Sequence, residues 1–170
     1  YSGEILGVAG ISGSGQKELL EAIAGLQNCR DCSTIEFISD KGEKKLISGM
    51  HPLDIKKLGV ALAFVPEDRL GMGLVGSMNL TDNMMLRSYR DGKGPIADRK
   101  SPKLLAETVV RDLEVVTPSI NTPIRRLSGG NVQKVLVGRE ISMQPQLLMS
   151  AYAVRGLDIN TSYNIYHLLS

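Results

Sequence analysis

The sequence predicts an α/β domain, and three observations lead to that prediction. An apolar run at residues 4–9 enters a glycine-rich turn at 10–15 and then a helical pattern. A second run of strand type, apolar throughout, covers residues 60–65. Two longer helical patterns lie at 101–116 and 128–142. Uninterrupted apolar strands are typical of sheets that helices cover on both faces.

Composition limits the class of protein. The chain has 170 residues, of which 42% are apolar and 22% charged, as in one ordinary globular domain. Apolar runs stop well short of the roughly 20 residues of a membrane helix, and no basic leader opens the chain, so we expect a domain that is soluble by itself. The net charge of +2, the dispersed cations and the 4% aromatic content argue against nucleic acid as a partner.

The first element is the strand at residues 4–9, followed by the glycine-rich turn and a helix at 16–24 that Gly25 ends. Strand, glycine loop and helix form the arrangement of a phosphate-binding loop, in which backbone N–H groups surround the anion and the helix dipole assists. The candidate binding residues are Gly10, Ser12, Gly13, Ser14, Gly15, Gln16 and Lys17.

The letters of this loop depart from the nucleotide-binding pattern. Anchoring G-x-x-x-x-G-K-[ST] on Gly10 and Gly15 places Gln16 where lysine belongs and Lys17 where serine or threonine belongs. The missing lysine would contact the β- and γ-phosphates, and the missing hydroxyl would hold Mg²⁺. A dinucleotide fold would require glycine at Glu18. The loop therefore either binds phosphate through its backbone or is a glycine turn without a ligand.

Two cysteines, Cys29 and Cys32, have the spacing of half a zinc site or of a redox pair. The histidines, His51 and His167, form no paired ligand pattern, and a redox pair would open a helix whereas this one follows a helix end. Two free thiols in a reducing cytoplasm is the favoured interpretation, with a metal or redox site as the alternative.

Alternating apolar residues, together with glycines and prolines that favour turns, predict the next elements. Apolar alternation over 34–38 and 45–47 around a turn at 40–43 predicts a β-hairpin. Glycines make residues 66–77 a long exposed loop. The other predicted elements are a short helix from Pro52 to about Leu58, a helix at 80–88, a mobile loop at 90–100, a helix at 101–116 with Ser101 as its cap and Pro102 as its first residue, a strand at 146–149 and a last helix from about Asn160.

Residues 126–134 read Arg-Leu-Ser-Gly-Gly-Asn-Val-Gln-Lys and open the longest helical pattern. Ser128 is a natural N-cap, and glycines in a first turn leave backbone N–H groups and the positive helix end accessible. This string resembles the signature motif of ABC transporter ATPases. Together with Pro-Glu-Asp-Arg at 66–69 and Arg-Gly-Leu-Asp at 155–158, the resemblance covers nearly the whole chain. It is strongest to the second, degenerate nucleotide-binding domain of ribose-type and nucleoside-type importers.

The resemblance implies a P-loop NTPase core with a small antiparallel β part and an inserted α-helical subdomain. Residues 1–170 would be a fragment of one ABC-type nucleotide-binding domain, with a core at 1–76 and 145–170 and a helical subdomain at about 77–144. The segment from Glu67 to Leu80 and the helices after it would receive the coupling helix of a membrane subunit.

The resemblance also implies site residues. In the family, two ATPase domains face head to tail, so that the signature of one covers the γ-phosphate held by the other. The signature residues implied here are Ser128, Gly129, Gly130 and Gln133. Glu67 matches the family's glutamine that senses Mg²⁺ and the membrane partner, and Asp158 matches the Leu-Asp that ends the loop before the last helix.

Two further positions depart from the family pattern. Ala151 and Tyr152 replace the aspartate that orients Mg²⁺ and the glutamate that polarises water. With Gln16 and Lys17, four side chains of one active site are missing, so the isolated domain should have little or no ATPase activity, and no catalytic or metal-binding residue is assigned to it.

The implied function is that of an ATP-binding domain of an ABC importer, an ATPase within the full transporter, which couples ATP binding and hydrolysis to uptake of a simple sugar or nucleoside. The implied cofactors are ATP and Mg²⁺, with Mg²⁺ mainly at the partner's site. The implied partners are a second ATPase domain on the same full-length chain, transmembrane permease subunits and, indirectly, a solute-binding protein, on the cytoplasmic face of the membrane. The alternative is a non-catalytic nucleotide-binding regulatory module. An unrelated kinase would need lysine at position 16 and an acidic residue at 151.

Overall fold

The computed structural model describes residues 3–11, 13–29, 33–39, 41–58, 60, 62–89, 98–151, 154 and 157–169. The chain divides into two compact units, and each is described by itself. Unit 1 comprises Tyr1–Phe64 and Pro145–Ala151, and unit 2 comprises Val65–Gln144 and Tyr152–Ser170. The subdomain boundaries predicted from the sequence remain a prediction.

Unit 1 contains most of the short elements. They are α1 (Gln16–Ile23), β1 (Glu36–Ile38), β2 (Lys44–Leu46), α2 (Pro52–Lys57), β3 (Leu62–Val65, which ends at the unit boundary) and β4 (Leu147–Ser150). Strands β1 and β2 form the predicted antiparallel hairpin, with Phe37 opposite Lys45, and β3 and β4 form a second two-stranded sheet. The buried residues Ile47, Ile55 and Val60 form a core against which the half-buried Ile35, Phe37, Met50 and Leu58 pack.

Helix α1 ends where the sequence predicted, at Gly25, because that residue has a φ of 73°. A Cβ added there would lie 2.3 Å from the carbonyl oxygen of Met50, so only glycine fits this position. The helix itself is only partly packed, since it contains no fully buried residue.

The predicted strand at residues 4–9 is wrong. Neither of the two sheets in the described part of the chain includes these residues, and the side chains of Ile5, Leu6 and Val8 are 72%, 79% and 55% exposed. An apolar run becomes a strand only when neighbouring strands accept its backbone hydrogen bonds, and none of the described strands pairs with it.

Unit 2 is helical. Its elements are α3 (Leu80–Ser88), α4 (Lys100–Asp112), α5 (Gly129–Ser142) and α6 (Ile159–Leu169), with a single π-helical turn at Arg69–Gly73 and a 3-10 turn at Ile124–Arg126. Helix α5 is central, since it contacts α4, α6 and the π turn, and its residues from Val132 to Glu140 are all buried. It passes α4 closely at Gly138, where an added Cβ would lie 2.7 Å from Leu113 Cδ1 and 2.9 Å from Val109 Cγ1.

Three sequence predictions in unit 2 need correction. The segment at 66–77 is not wholly irregular, because the Asp68 carboxylate accepts the Gly71 N–H at 2.8 Å and fixes the π turn. Helix α4 begins at Lys100 with Arg99, not Ser101, at its N-cap position; Arg99 makes no capping bond, and the Asp98 carboxylate one residue earlier accepts the Lys100 N–H at 2.8 Å. It ends at Asp112, before Val116, whose side chain is 78% exposed. Most of the predicted mobile loop, residues 90–97, lies outside the described residues.

Among the described residues, the helices are too short or too polar to cross a lipid bilayer.

Candidate functional site

The glycine loop of unit 1 has an open backbone. Gly13 and Gly15 adopt φ angles of 82° and 94°, which favour glycine, and a Cβ added at either would meet no atom within 4 Å. The Gly15 carbonyl accepts the first helical hydrogen bond, from Leu19 N–H at 2.9 Å. Ser12 lies outside the described residues. The backbone conformation is thus suited to an anion, and the side chains decide how strongly one would bind.

Those side chains bind the domain itself. The Ser14 hydroxyl donates to the Ile11 carbonyl at 2.7 Å, and the Gln16 amide donates to the same oxygen over a long 3.4 Å. Gln16 folds back over Gly10, where an added Cβ would lie 2.2 Å from its Nε2. The Lys17 ammonium lies 3.8 Å from the Glu21 carboxylate, one turn along α1. In this structure the side chains of Gln16 and Lys17 thus both contact groups of unit 1, and the degeneracy of the loop stays a prediction.

Three further predicted positions are Ala151, Tyr152 and Glu67. Ala151, the position at which the resemblance implies an Mg²⁺-orienting aspartate in the family pattern, is 7% exposed, and a buried methyl group provides no oxygen ligand. Tyr152 lies outside the described residues. Glu67 lies in unit 2 and is exposed, directly before the Asp68 cap of the π turn.

The signature turn, which we define as residues 128–131, opens α5 on the surface of unit 2. The Ser128 hydroxyl accepts the Asn131 N–H at 3.4 Å and the Asn131 side-chain amide at 2.9 Å, which confirms Ser128 as the N-cap. Asn131 Oδ1 in turn accepts the Val116 N–H at 2.9 Å. The first-turn N–H groups of Gly129 and Gly130 have no carbonyl within the helix to bind. The turn therefore presents donors to solvent on a fixed backbone.

Polar side chains lie close to each of the two glycines. Arg69 Nη1 lies 3.5 Å from the position of a Cβ on Gly129. Thr161 Oγ1 and Asp158 Oδ2 lie 3.5 Å and 3.9 Å from the position of a Cβ on Gly130. The structure thus brings Asp158 together with the signature turn, as part of one surface of unit 2.

Asp158 is held ionised by α6. Its carboxylate accepts the Thr161 N–H at 2.9 Å and the Thr161 hydroxyl at 2.7 Å, and these bonds, the backbone one foremost, hold the pKa of Asp158 below its ordinary value. A bound anion would therefore be favoured nearer Gly129 and Arg69 than nearer Asp158. Arg69 ends the Pro-Glu-Asp-Arg motif at 66–69, and Thr161 lies in the predicted last helix. No spacing rule predicts that either residue lies beside the glycines.

Gln133 lies beneath the turn, since it is 1% exposed and its Oε1 has no hydrogen-bond partner in the described part of the structure. Its predicted role toward nucleotide stays a prediction. Cys29 is a half-buried free thiol, and Cys32 lies outside the described residues.

A glycine loop before a helix, together with a separate helical unit whose central helix opens on an exposed Ser-Gly-Gly turn, defines a class of phosphate-binding α/β domains. A profile of the ABC transporter family matches residues 1–150, and the chain belongs to that family.

Curated relatives agree with this assignment. The chain is 37% identical over 163 residues to the guanosine import ATP-binding protein NupO of Bacillus subtilis, covering 93% of this chain and 30% of that protein. It is 35% identical over 169 residues to the xylose import ATP-binding protein XylG of Thermoanaerobacter pseudethanolicus, covering 99% of this chain and 32% of that protein. A ribose import ATP-binding protein, RbsA 1 of Mesorhizobium japonicum, is 32% identical over 169 residues, or 99% of this chain and 32% of its own length. The chain thus spans about a third of the length of the curated relatives it matches.

Solved structures confirm the fold class. The dimeric ATP-binding cassette MJ0796, in a post-hydrolysis state bound to ADP and Pi, superposes with a TM-score of 0.72 at 21% identity, over 93% of this chain and 64% of that one. A nucleotide-free ATP-binding cassette from an ABC transporter superposes with a TM-score of 0.62 at 17% identity, over 93% and 61%. The chain therefore has the P-loop NTPase fold of ABC cassettes, as predicted.

Proposed function

We propose that this domain is part of the ATP-binding subunit of an ABC importer and that it acts mainly through its signature turn. In this proposal the turn binds the γ-phosphate of an ATP held by the phosphate loop of a second ATPase domain on the same full-length chain. The domain's own phosphate loop is degenerate, so the composite site on the partner domain holds Mg²⁺ and performs hydrolysis. The isolated domain then has little or no ATPase activity.

One observation carries the proposal: the signature turn is exposed, capped and rigidly based. Ser128 fixes the turn, Gly129 and Gly130 leave their N–H groups accessible, and the nine residues that follow Asn131 are buried. A preorganised set of donors at a helix N-terminus stabilises phosphate charge without reorganising during the reaction. The side chains of the glycine loop, in contrast, bind the loop and helix that contain them.

The relatives support a proposal for the solute and the partners. Three of these relatives are import ATP-binding proteins for guanosine, xylose and ribose, so we infer a simple sugar or a nucleoside as the transported solute. We infer a peripheral position on the cytoplasmic face of the membrane, with permease subunits as direct partners and a solute-binding protein as an indirect one. The exposed apolar side chains of Leu70, Met72 and Met78, 44%, 47% and 38% exposed, support the segment after Glu67 as the permease contact.

The test is Ser128→Arg in the full-length ATPase subunit assembled with its permease. The arginine replaces the cap and projects over the glycine N–H groups, so ATPase activity and solute uptake should fall by about a hundredfold or more. The same change at Ser119, an exposed loop residue of the same unit, is the matched control and should leave both unchanged.

An unchanged ATPase activity in Ser128→Arg would overturn the proposal. It would favour the second candidate, a regulatory module whose degenerate loop binds nucleotide statically. The observation that favours this second candidate is the open backbone of the loop at Gly13 and Gly15.

A further inference from the structure

Helix α5 buries two consecutive charged residues at the end opposite the signature turn. Arg139 is 5% exposed and Glu140 is 1% exposed. Neither belongs to the signature motif, and each lies at least two turns from Ser128. Ionised side chains are costly to bury unless their charges and hydrogen bonds are matched, so their partners indicate what they hold in place.

Arg139 joins α5 to two other elements. Its Nη2 donates to the carbonyl oxygen of Gly73, the last residue of the π turn, at 2.7 Å, and its Nη1 donates to the Asn83 carbonyl of α3 at 3.4 Å. Its Nε binds Glu140 Oε1 at 2.9 Å. The guanidinium therefore spans the π turn, α3 and α5 at once, and burial acts to lower its pKa while the Glu140 charge acts to raise it.

Glu140 extends the connection to the surface. Its second carboxylate oxygen, Oε2, accepts from Arg87 Nη2 at 2.7 Å, and the Arg87 side chain on α3 is 38% exposed. One buried carboxylate thus holds two guanidinium groups by charge-assisted bonds, one inside the unit and one that reaches solvent.

The segment from Gly73 to Asn83, to which Arg139 donates, is also held in place by other contacts. Leu136 packs under Gly73, where an added Cβ would lie 2.9 Å from its Cδ2. Asn83, fully buried, accepts the Val75 N–H at 2.8 Å and donates to the Val75 carbonyl at 3.1 Å. The π turn, the start of α3 and the C-terminal half of α5 are therefore fastened to one another by polar and apolar contacts together.

We propose that Glu140 is a positioning residue, which makes α3 and the π turn move together with α5 and so transmits a displacement of the π turn to the signature turn. A 14-residue helix is a rod of roughly 20 Å, so its two ends move as one body. This inference rests on the proposed function, because the transmitted motion acts on the site that the signature turn completes. It identifies the contact through which a permease bound at Leu70 and Met72 of the π turn, the segment proposed above for that contact, changes the geometry at Ser128.

Hydrogen exchange in this chain tests whether the network makes α3, the π turn and α5 move together. Arg87→Met removes the cation at the surface end of the network, and we expect amide exchange at Leu74 and Val132, which donate to Arg69 and Ser128, to rise about tenfold. Amides within α4 should change less than about twofold. Arg87→Lys, which keeps the charge, should restore most of the protection. The control is Lys103→Met, which removes an exposed pair with Glu107 at 3.9 Å and should change neither amide.

Two results would overturn the inference. If exchange rises equally in α4, the network merely stabilises the unit as a whole. If Leu74 and Val132 are unaffected by Arg87→Met, the network transmits nothing to the turn.

Activity in the full-length subunit with its permease separates this inference from the proposed function. We expect Arg87→Met to lower permease-stimulated ATPase about tenfold, and Arg87→Lys to retain at least about half of it. If Ser128→Arg abolishes turnover while Arg87→Met leaves it intact, this inference alone fails. If Ser128→Arg also has no effect, the proposed function fails.

Discussion

The molecule contains two glycine-rich turns that each open a helix, and they differ in how those helices are held. Helix α1, behind the glycine loop, contains no fully buried residue, whereas α5, behind the signature turn, buries every residue from Val132 to Glu140. The polar side chains of the first turn bind their own loop and helix, while Ser128 of the second caps the backbone and leaves the glycines accessible. We therefore expect the signature turn to be the stronger anion site, because donors that are unoccupied and fixed in place add to the effect of glycines and a helix dipole.

The largest expected difference between the turns is in catalysis. Gly130→Val would place branched methyl groups against Thr161 and over the first-turn N–H groups, since a Cβ there already lies 3.4 Å from Thr161 Cγ2. We expect ATPase activity of the full-length subunit to fall about a hundredfold, roughly 2.7 kcal/mol of transition-state stabilisation. Ser14→Val, in the glycine loop at a position with a negative φ, should lower it by less than about threefold. Equal losses at the two positions would show that both turns contribute to turnover.

Stability should separate the two helices next. Changing Leu136, which is fully buried on α5, to alanine should lower the free energy of unfolding by about 3 kcal/mol. The same change at Leu19 on α1, which is 47% exposed, should lower the free energy of unfolding by less than about 1 kcal/mol. Urea denaturation of both variants measures the difference, and similar values would mean that α1 is as firmly packed as α5.

Nucleotide affinity is the third comparison. Gln16→Lys combined with Lys17→Ser restores the phosphate-binding lysine and the Mg²⁺-binding hydroxyl, so calorimetry should show Mg-ATP binding to this chain tightened about tenfold, or 1.4 kcal/mol. Turnover should not appear, because Ala151 still provides no oxygen for Mg²⁺. Tight Mg-dependent binding by the unaltered loop would contradict the view that it is degenerate.

The smallest effect concerns Asp158 beside the signature turn. Thr161→Val removes the hydroxyl that donates to its carboxylate, and the pKa of Asp158, measured by NMR titration, should rise toward its ordinary value of 3.8. Because folding lowers this pKa, the stabilisation is complete above the unfolded value and is lost as the pH falls through the folded one. The variant should therefore lose less stability on acidification than the original chain, and an unchanged pKa would mean that the Thr161 hydroxyl contributes nothing.

Local signals predicted the helices well. The sequence placed α3 at Leu80–Ser88 and the start of α5 after Ser128, and both are confirmed. Caps and apolar periods act within a few residues, so the letters contain the information needed. The start of α4 was missed because Asp98 and Ser101 are both residue types that suit a helix start, and only the structure shows that Arg99 is the N-cap and that the Asp98 carboxylate accepts the Lys100 N–H group.

Long-range relations could not be predicted in this way. Arg69 lies beside Gly129, and Arg87 binds Glu140 53 residues later in the chain. Such pairs depend on how helices pack, which a single sequence does not state. The strand predicted at 4–9 failed for the same reason, because a strand is defined by the neighbours it pairs with.

Gly138 limits how this domain could be stabilised by redesign. A scan of helix propensity would rank Gly138→Ala among the first substitutions, with a gain of about 1 kcal/mol for a helix interior. The side chains of Leu113 and Val109 already occupy the space of that methyl group, and β-branched valine adjusts poorly. A stabilising programme would therefore gain more on α4, for example at the half-buried Thr108, whose helix propensity is low, than along the helix that bears the signature turn.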